Sequence, residues 1–242
     1  MPDSKRMNMN SEAGSEGNAA AGQTQSTLSQ LEGEEQISAA ARSQIYALVA
    51  QALSYPDEEL CEWIRAGGVS DPLRQQLPLA WSSAEEAIDL DWDALRDSGS
   101  GDELAIEYTR VFDAGAKGPP CPLYGGLYGD ARMKKMEEAV RFYNHFGLSL
   151  SEEQRELPDH LVTQLEFLHY LCFREVEALQ QGLDPGPFRR AQRDFIERNP
   201  GKWVPQLCGK LAKEEAAPFF TVLLGGLASL LSAEGARLAD TP

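Results

Sequence analysis

The spacing of the apolar residues is the feature that most constrains the fold of this chain. In the first apolar segment these residues recur every three or four positions, on one face of a helix, as Ile45, Leu48, Val49 and Leu53 do. No segment alternates apolar and polar residues as a half-buried strand does, and no internal repeat is evident. A chain of 242 residues can bury a substantial core. The sequence therefore predicts one all-α domain, a helical bundle of about nine or ten helices.

Proline and glycine residues mark the predicted helix ends. The Tyr55-Pro56 pair is expected to end the first helix, because the residue before a proline avoids helical backbone angles. Gly147 is expected to cap the end of a later helix. The Gly- and Pro-rich stretch 114–124 predicts a loop. After the first helix we predict helices at Asp57–Arg65, Asp71–Leu77, Ala84–Arg96, Glu103–Phe112, Asp130–Phe146, Asp159–Gln181, Pro187–Arg198, Val204–Lys213 and Pro218–Ser232.

The first 36 residues differ in composition from the rest of the chain. They are rich in Ser, Gly, Asn, Ala, Gln and Glu and have almost no large apolar side chains. Such a segment cannot bury enough surface to offset the entropy lost on ordering. We therefore predict a disordered tail over residues 1–36 and a folded domain over residues 37–242. Nothing in the tail resembles the apolar core of a signal peptide, which favours a cytoplasmic location.

The formal net charge of −16 excludes some classes of partner. It argues against nonspecific nucleic-acid binding and against an anionic membrane surface, and it permits a cationic partner such as an arginine-containing peptide. The four cysteines form no Cys-x-x-Cys pair, which favours reduced thiols over a zinc or disulfide framework. Cys61 and Cys172 lie in apolar helical patterns and are expected to pack as small hydrophobes.

One uncharged segment, residues 216–233, approaches the length of a membrane span. It contains Pro218 and Gly225-Gly226, and no cluster of positive charge flanks it. We therefore predict a buried core helix rather than a membrane anchor. The larger side chains fall on one side at helical spacing, namely Phe220, Leu223, Leu224, Leu227, Leu230 and Leu231.

A polar pair, Asp159 and His160, stands at the predicted start of the longest central helix. Pro158 precedes the pair, and proline is tolerated in a first helical turn because its missing N–H would have no partner there. The helix dipole favours the negative charge of Asp159 at this end. A polar pair on a rigid helix end is suited to holding a ligand or a peptide.

The sequence gives only weak support for a metal site, for acid–base catalysis and for nucleotide binding. Glu166 and His169 have the Glu-x-x-His spacing of di-iron bundles, but a second such motif is missing. Asp159 and His160 would point about 100° apart on a helix, which is poor geometry for a catalytic dyad. The stretch Gly115–Gly118 lacks the phosphate-loop pattern of nucleotide-binding proteins.

Peptide recognition is better supported. The segment Tyr108-Thr109-Arg110-Val111-Phe112 ends a predicted helix, and a proline-stiffened loop follows it. Such a loop loses little entropy on binding, so Leu123, Tyr124 and Tyr128 could wall an apolar groove. The alternative for Val111, Phe112 and Leu123 is that they are core residues.

Three elements stand together in order: Glu107 to Phe112, then Gly118-Pro119-Pro120-Cys121-Pro122-Leu123-Tyr124, then Pro158-Asp159-His160-Leu161. With Tyr46 and Leu53-Ser54-Tyr55-Pro56 near the start, this arrangement resembles the TorD/DmsD/NarJ family of chaperones for molybdenum enzymes. It is most similar to the branch that serves type II enzymes of the dimethyl sulfoxide reductase family. Clients of that branch include nitrate, selenate and chlorate reductases and dimethyl sulfide and ethylbenzene dehydrogenases.

The resemblance implies an all-helical, cytoplasmic protein without catalytic activity or a cofactor of its own. It implies a monomer or small homo-oligomer that binds the N-terminal leader of a client's catalytic subunit, often a twin-arginine signal. The chaperone would hold the apoenzyme until molybdopterin guanine dinucleotide is inserted, and so proofread its export.

The resemblance also implies where the leader binds. Leader arginines could meet Asp159, Glu166 or Glu107. Two other functions stay open, a metal or redox bundle that uses Glu166 and His169, and a chaperone gated by a nucleotide such as GTP. The predicted leader-binding residues are Tyr108, Val111, Phe112, Pro122, Leu123, Tyr124, Pro158, Asp159, His160 and Glu166.

Overall fold

A computed structural model describes residues 31–81, 88, 90–100, 102–116, 118–129, 132–149 and 157–239. These residues contain two isolated bridges and no β-sheet, so the all-α prediction is confirmed. The helices among them are α1 (Glu34–Ala52), α2 (Glu58–Arg65), α3 (Ser70–Ala80), α4 (Glu103–Tyr108), α5 (Arg132–His145), α6 (Leu161–Gln180), α7 (Gly186–Arg198), α8 (Pro200–Lys213) and α9 (Pro218–Leu238).

Short turns of other helical types complete the backbone. Helix α4 continues as a π-helical turn over Thr109–Asp113, and 3₁₀ turns occupy Ala94–Arg96 and Gly125–Tyr128. The predicted helix Ala84–Arg96 is wrong where it can be checked, because the Asp91 carboxylate accepts the N–H groups of Asp93 and Ala94 and forms a turn there. Residues 82–87 and 89 lie outside the described residues.

Several helix ends differ from the prediction. Helix α1 begins at Glu34, inside the predicted tail, and residues 1–30 of that tail lie outside the described part of the chain. The proline at position 200 starts α8 earlier than predicted, because proline suits the first helical position. At Gly147 the backbone has φ 73°, so the predicted glycine cap is confirmed.

Helix α6 is the centre of the bundle and packs along α1, while α9 packs against α8 and α7. Its buried side chains lie on more than one face, which is typical of a core helix rather than a surface helix. Those with 0% exposure are Leu161, Leu165, Phe167, Leu168, Leu171, Cys172 and Glu175.

Buried charges join helices α1, α6 and α9. Arg42 of α1 is 3% exposed and lies 3.2 Å from Glu175 of α6 and 3.1 Å from Glu234 of α9. Arg189 also donates to Glu175, and Arg237 donates to Glu234. Burying such charges is costly unless each is paired, so this network fixes how α1, α6 and α9 align.

Helix α9 is long and apolar enough to cross a membrane by length and composition alone. In the structure its apolar face is buried against the bundle, and Glu234 on the same helix is 0% exposed and paired with Arg42. The predicted core helix is confirmed, with Phe220, Leu223, Leu224, Leu227, Leu230 and Leu231 all buried.

Candidate functional site

The polar pair lies just before α6 rather than within its first turn, which corrects the predicted start at Asp159. His160 has extended backbone angles, φ −67° and ψ 140°, and its ring Nδ1 accepts the N–H of Val162 at 3.3 Å. The imidazole therefore caps the helix that begins at Leu161. Pro158, Asp159 and His160 form a turn whose backbone groups bond with other segments of the chain.

That segment is the proline-rich loop. Leu161 N–H donates to the carbonyl of Leu123 at 2.8 Å, and Gly125 N–H donates to the carbonyl of Asp159 at 2.9 Å. The Tyr124 ring packs edge-on against the His160 ring, with centroids 4.8 Å apart. The loop and the Pro-Asp-His turn are therefore one structural unit.

The segment Tyr108–Phe112, the third predicted element, is hydrogen-bonded to the same unit. Cys121 N–H donates to the carbonyl of Val111 at 2.9 Å, which ties the start of the loop to the π-helical turn. At the other end of the loop, the Tyr128 hydroxyl donates to the carbonyl of Pro122 at 2.8 Å. The structure thus brings together three segments that the sequence separates.

The Asp159 side chain points inward. It is 1% exposed, and its Oδ2 accepts the N–H of Gly126 at 2.9 Å. Its Oδ1 accepts no hydrogen bond from any described residue. A Cβ on Gly126 would lie 2.8 Å from Asp159 Oδ2 and 2.7 Å from Arg132 Cγ, so only glycine allows this close approach.

Tyr143 of α5 holds the Pro158–His160 turn by a hydrogen bond. Its hydroxyl donates to the carbonyl of Pro158 at 2.7 Å. Burial, followed by the negative charges of Asp159 and Glu166, raises the pKa of Tyr143 well above its ordinary value. The hydroxyl therefore stays protonated and keeps donating at any physiological pH.

Asp159 also lines a pocket of about 170 Å³ between the loop, α5 and the α7–α8 junction. Helix α8 contributes Trp203, whose indole N–H donates to Gln164 Oε1 at 3.1 Å. Sequence reasoning missed this pocket, because its residues come from four distant segments. They are Gly125, Gly126, Tyr128, Gly129, Lys135, Asp159, Gln164, Arg198, Asn199, Lys202, Trp203 and Gln206.

The apolar residues predicted to wall a groove are packed in the core. Val111, Phe112 and Leu123 are each at most 2% exposed. Phe112 packs edge-on against Tyr108 and Phe220, with ring centroids 5.1 and 5.0 Å away. Direct contact between a leader and these three side chains would require the site to open. Of the other predicted residues, Tyr124 and Glu166 are half-buried, and Tyr108, Pro122, Pro158, Asp159 and His160 are buried.

The carboxylate of Glu107 already accepts hydrogen bonds from other residues of the fold. Its Oε1 accepts the N–H of Ala217, at the start of α9, and Arg110 donates to both of its oxygens at 2.7 and 2.8 Å. The hydrogen bonds from Arg110 hold the pKa of Glu107 below its ordinary value. The expectation that a leader arginine meets Glu107 is therefore not supported by this geometry.

Of the Glu166–His169 pair, His169 has a structural role between two helices. His169 Nδ1 lies 2.9 Å from both the carbonyl and the hydroxyl oxygen of Ser43, so the ring attaches α6 to α1. Among the described residues, no group of three or more His, Cys, Asp or Glu side chains is arranged to hold a metal ion.

Exposed apolar side chains lie beside the site, and sequence reasoning missed them. Leu127, Met133 and Leu157 are 43%, 65% and 36% exposed. Leu127 follows Gly126, Met133 follows Arg132, which lies against Gly126, and Leu157 precedes the turn. A signal was present in Met133, an apolar residue in the basic run Arg132-Met133-Lys134-Lys135.

Comparison with known proteins identifies relatives. The family described as "Nitrate reductase delta subunit" matches residues 70–209. The selenate reductase assembly chaperone protein of Thauera selenatis is 32% identical over 81% of this chain and 88% of the relative. The chlorate reductase assembly chaperone protein of Ideonella dechloratans is 31% identical over 81% of this chain and 89% of the relative. The dimethyl sulfide dehydrogenase assembly chaperone protein of Rhodovulum sulfidophilum is 31% identical over 65% and 70%.

The match covers more than half of the chain, and the first two relatives are covered over most of their own length. The chain therefore belongs to the nitrate reductase delta subunit family, the TorD/NarJ family of assembly chaperones that its sequence resembles.

Proposed function

We propose that this protein is a cytoplasmic assembly chaperone for the catalytic molybdenum subunit of an enzyme of the dimethyl sulfoxide reductase family. It binds the N-terminal leader and the apo form of that subunit until molybdopterin guanine dinucleotide is inserted. The chaperone carries no cofactor of its own and acts as a monomer or small homo-oligomer. The relatives support this class of partner, because they are named as assembly chaperones of selenate reductase, chlorate reductase and dimethyl sulfide dehydrogenase.

The exposed apolar residues beside the Pro158–His160 turn are the observation that carries the proposal. Leu127 follows Gly126 and Leu157 precedes Pro158 in the chain, while Met133 follows Arg132, which lies against Gly126. A patch of exposed large apolar side chains is typical of a protein interaction site, and we infer that these three residues form such a patch. We therefore place the apolar part of the leader on this surface, which we call the apolar rim.

The predicted leader-binding residues take different roles in this arrangement. The half-buried Tyr124 and Glu166 contact the leader, and the buried residues, Asp159 and His160 among them, hold the loop that presents the apolar rim. The charges near Asp159 do not favour a leader arginine there, because Lys135, Arg198 and Lys202 line the same pocket. Like charges repel most strongly where water is excluded.

A titration with the client leader tests the proposal. The client is first identified by pull-down, and a synthetic peptide of its N-terminal leader is titrated against the chaperone by calorimetry. Leu127→Glu and Met133→Glu should each lower the affinity about tenfold, because a charge then replaces an apolar contact. Both side chains are exposed, so these variants should fold normally.

Leu183→Glu is the matched control, since Leu183 is also exposed, at 59%, but lies between α6 and α7. Its affinity should stay within twofold of the unmodified protein. Equal loss in all three variants, or no loss in any, would show that the leader binds elsewhere.

A further inference from the structure

Three charged residues join the π-helical turn to the connection between α8 and α9. Arg110 donates to both carboxylate oxygens of Glu107, at 2.7 and 2.8 Å, and to the carbonyl of Glu214 at 3.0 Å. Its guanidinium also lies 3.8 Å from the Glu214 carboxylate. Glu107 in turn accepts the N–H of Ala217 at 2.9 Å. We call Glu107, Arg110 and Glu214 the clasp.

The same two elements meet in a seam of aromatic rings. Phe220 of α9 packs edge-on against Phe112 and Tyr108, with ring centroids 5.0 and 6.0 Å away. All three side chains are at most 7% exposed. Tyr108 and Phe112 are two of the predicted leader-binding residues. Because the clasp joins the elements that form the seam, we infer that it keeps these two residues covered.

The clasp is built so that it can open at low cost. Arg110 and Glu214 are 44% and 41% exposed, and an exposed ion pair contributes little because water screens it. The next residue, Glu215, has φ 48°, a left-handed conformation that is costly for any residue with a side chain. On the other side of the clasp, Thr109–Asp113 is a π-helical turn, a rare form that is frequent at functional sites.

The contacts of Arg110 are those that an arginine of another chain would make. A guanidinium binds a carboxylate through two parallel hydrogen bonds, whichever chain supplies it. The clasp also adjoins the proline-rich loop, since Cys121 N–H donates to the carbonyl of Val111 in the π-helical turn. The clasp carboxylates are therefore a better place for a leader arginine than Asp159, whose pocket is lined by Lys135 and other cations.

We propose that the clasp is an autoinhibitory contact, which a leader arginine releases by taking the place of Arg110 on Glu107 and Glu214. Its release opens the seam and exposes Tyr108, Phe112 and Phe220 to apolar residues of the leader. The proposal rests on the proposed function and adds an arginine contact to the contact at the apolar rim.

Hydrogen exchange followed by mass spectrometry tests the clasp without a ligand. In Arg110→Gln the backbone amides of residues 214–221 should exchange about threefold to fivefold faster, because the seam opens more often. Arg174→Gln is the matched control, since Arg174 is equally exposed and forms a pair with Glu177 at the same i,i+3 spacing. It should leave exchange in residues 214–221 unchanged. Equal exchange in Arg110→Gln and the unmodified protein would overturn the proposal.

Calorimetric titration with two client leader peptides tests the role of arginine. One peptide is native, and in the other every arginine is replaced by glutamine. The ratio of their affinities should rise about threefold to fivefold in Arg110→Gln, because the competing internal arginine is gone, and should fall towards one in Glu107→Gln. Lys213→Gln removes an exposed cation next to Glu214 but outside the clasp, and its ratio should stay within twofold of the unmodified protein.

The outcomes separate this proposal from the proposed function. A leader that binds with the same ratio in Arg110→Gln and Lys213→Gln would overturn the role of the clasp and leave the chaperone function standing. A leader that binds none of the proteins would refute the proposed function and the role of the clasp with it.

Discussion

Replacing Arg42 by methionine removes the buried cation that lies between Glu175 and Glu234. Breaking a buried ion pair typically costs about 3–5 kcal/mol, because an uncompensated charge is left behind. Here Glu175 keeps its bond from Arg189, and Glu234 keeps its bond from Arg237. We therefore expect the lower end of that range, about 3 kcal/mol, a large share of the roughly 5–15 kcal/mol that stabilises a typical protein.

Urea denaturation followed by far-UV circular dichroism measures this change. With a slope of about 2–3 kcal/mol per molar urea, the midpoint should fall by about 1 M at pH 7. Arg141→Met is the control, since Arg141 is exposed on α5, and its free energy of unfolding should stay within about 0.5 kcal/mol of that of the unmodified protein. A loss below about 1 kcal/mol for Arg42→Met would refute the view that this network aligns the helices.

The pH dependence supplies a second check. Burial, the largest single influence, raises the pKa of Glu175, but the charge of Arg42 acts together with Gln192, Arg237 and Arg189 and holds the pKa below its ordinary value of 4.5. A carboxylate with a lowered folded-state pKa stabilises the fold above its unfolded pKa, and this stabilisation disappears as the pH falls through the folded pKa. The difference between Arg42→Met and the unmodified protein should therefore narrow below about pH 4.5.

Three further outcomes follow from the site. Gly126→Ala should destabilise the protein by about 1–3 kcal/mol in thermal unfolding, because its Cβ meets a buried carboxylate. Gly129→Ala is the control and should be nearly neutral, because no atom lies within 4 Å of the position that its Cβ would take. The Cys121 thiol, which is 0% exposed and whose pKa burial raises to about 11, should not react with a thiol reagent at pH 8 unless urea is added; rapid reaction of the native protein would contradict this. Glu107→Gln should lower stability by about 1 kcal/mol, since it weakens the cap of α9, and an unchanged Tm would show that the cap contributes nothing.

The sequence predicted helix identity well because helical periodicity is a local property. The apolar face of α9, from Phe220 to Leu231, is buried as its spacing predicted. The start of α6 was predicted less well, because it depends on a distant segment. The carbonyl of Leu123 accepts the N–H of Leu161, and the carbonyl of Asp159 accepts the N–H of Gly125. No local sequence pattern predicts hydrogen bonds between segments so far apart in the chain.

The candidate site was predicted in outline and not in detail. The order of the Tyr108–Phe112 segment, the proline-rich loop and the Asp159–His160 pair indicated that they belong together, and the hydrogen bonds join them. The exposure of Val111 and Phe112 could not be predicted, because the same apolar sequence pattern is expected whether these residues line a groove or pack in the core. Asn199 and Lys202 were missed because only the tertiary fold places α8 beside Asp159.

The burial of Arg42 between helices that are far apart in the sequence has a consequence for synthesis. On the ribosome, α1 emerges before α6 and α9, so Arg42 can contact Glu175 only after α6 has emerged and Glu234 only when α9 is nearly complete. Chains grow at about 5–20 residues per second, so the apolar surface that α9 covers stays open for seconds after α1 is made. This protein therefore cannot close its core before α9 has been made, and a chain truncated before α9 would expose the surface that α9 covers in the fold.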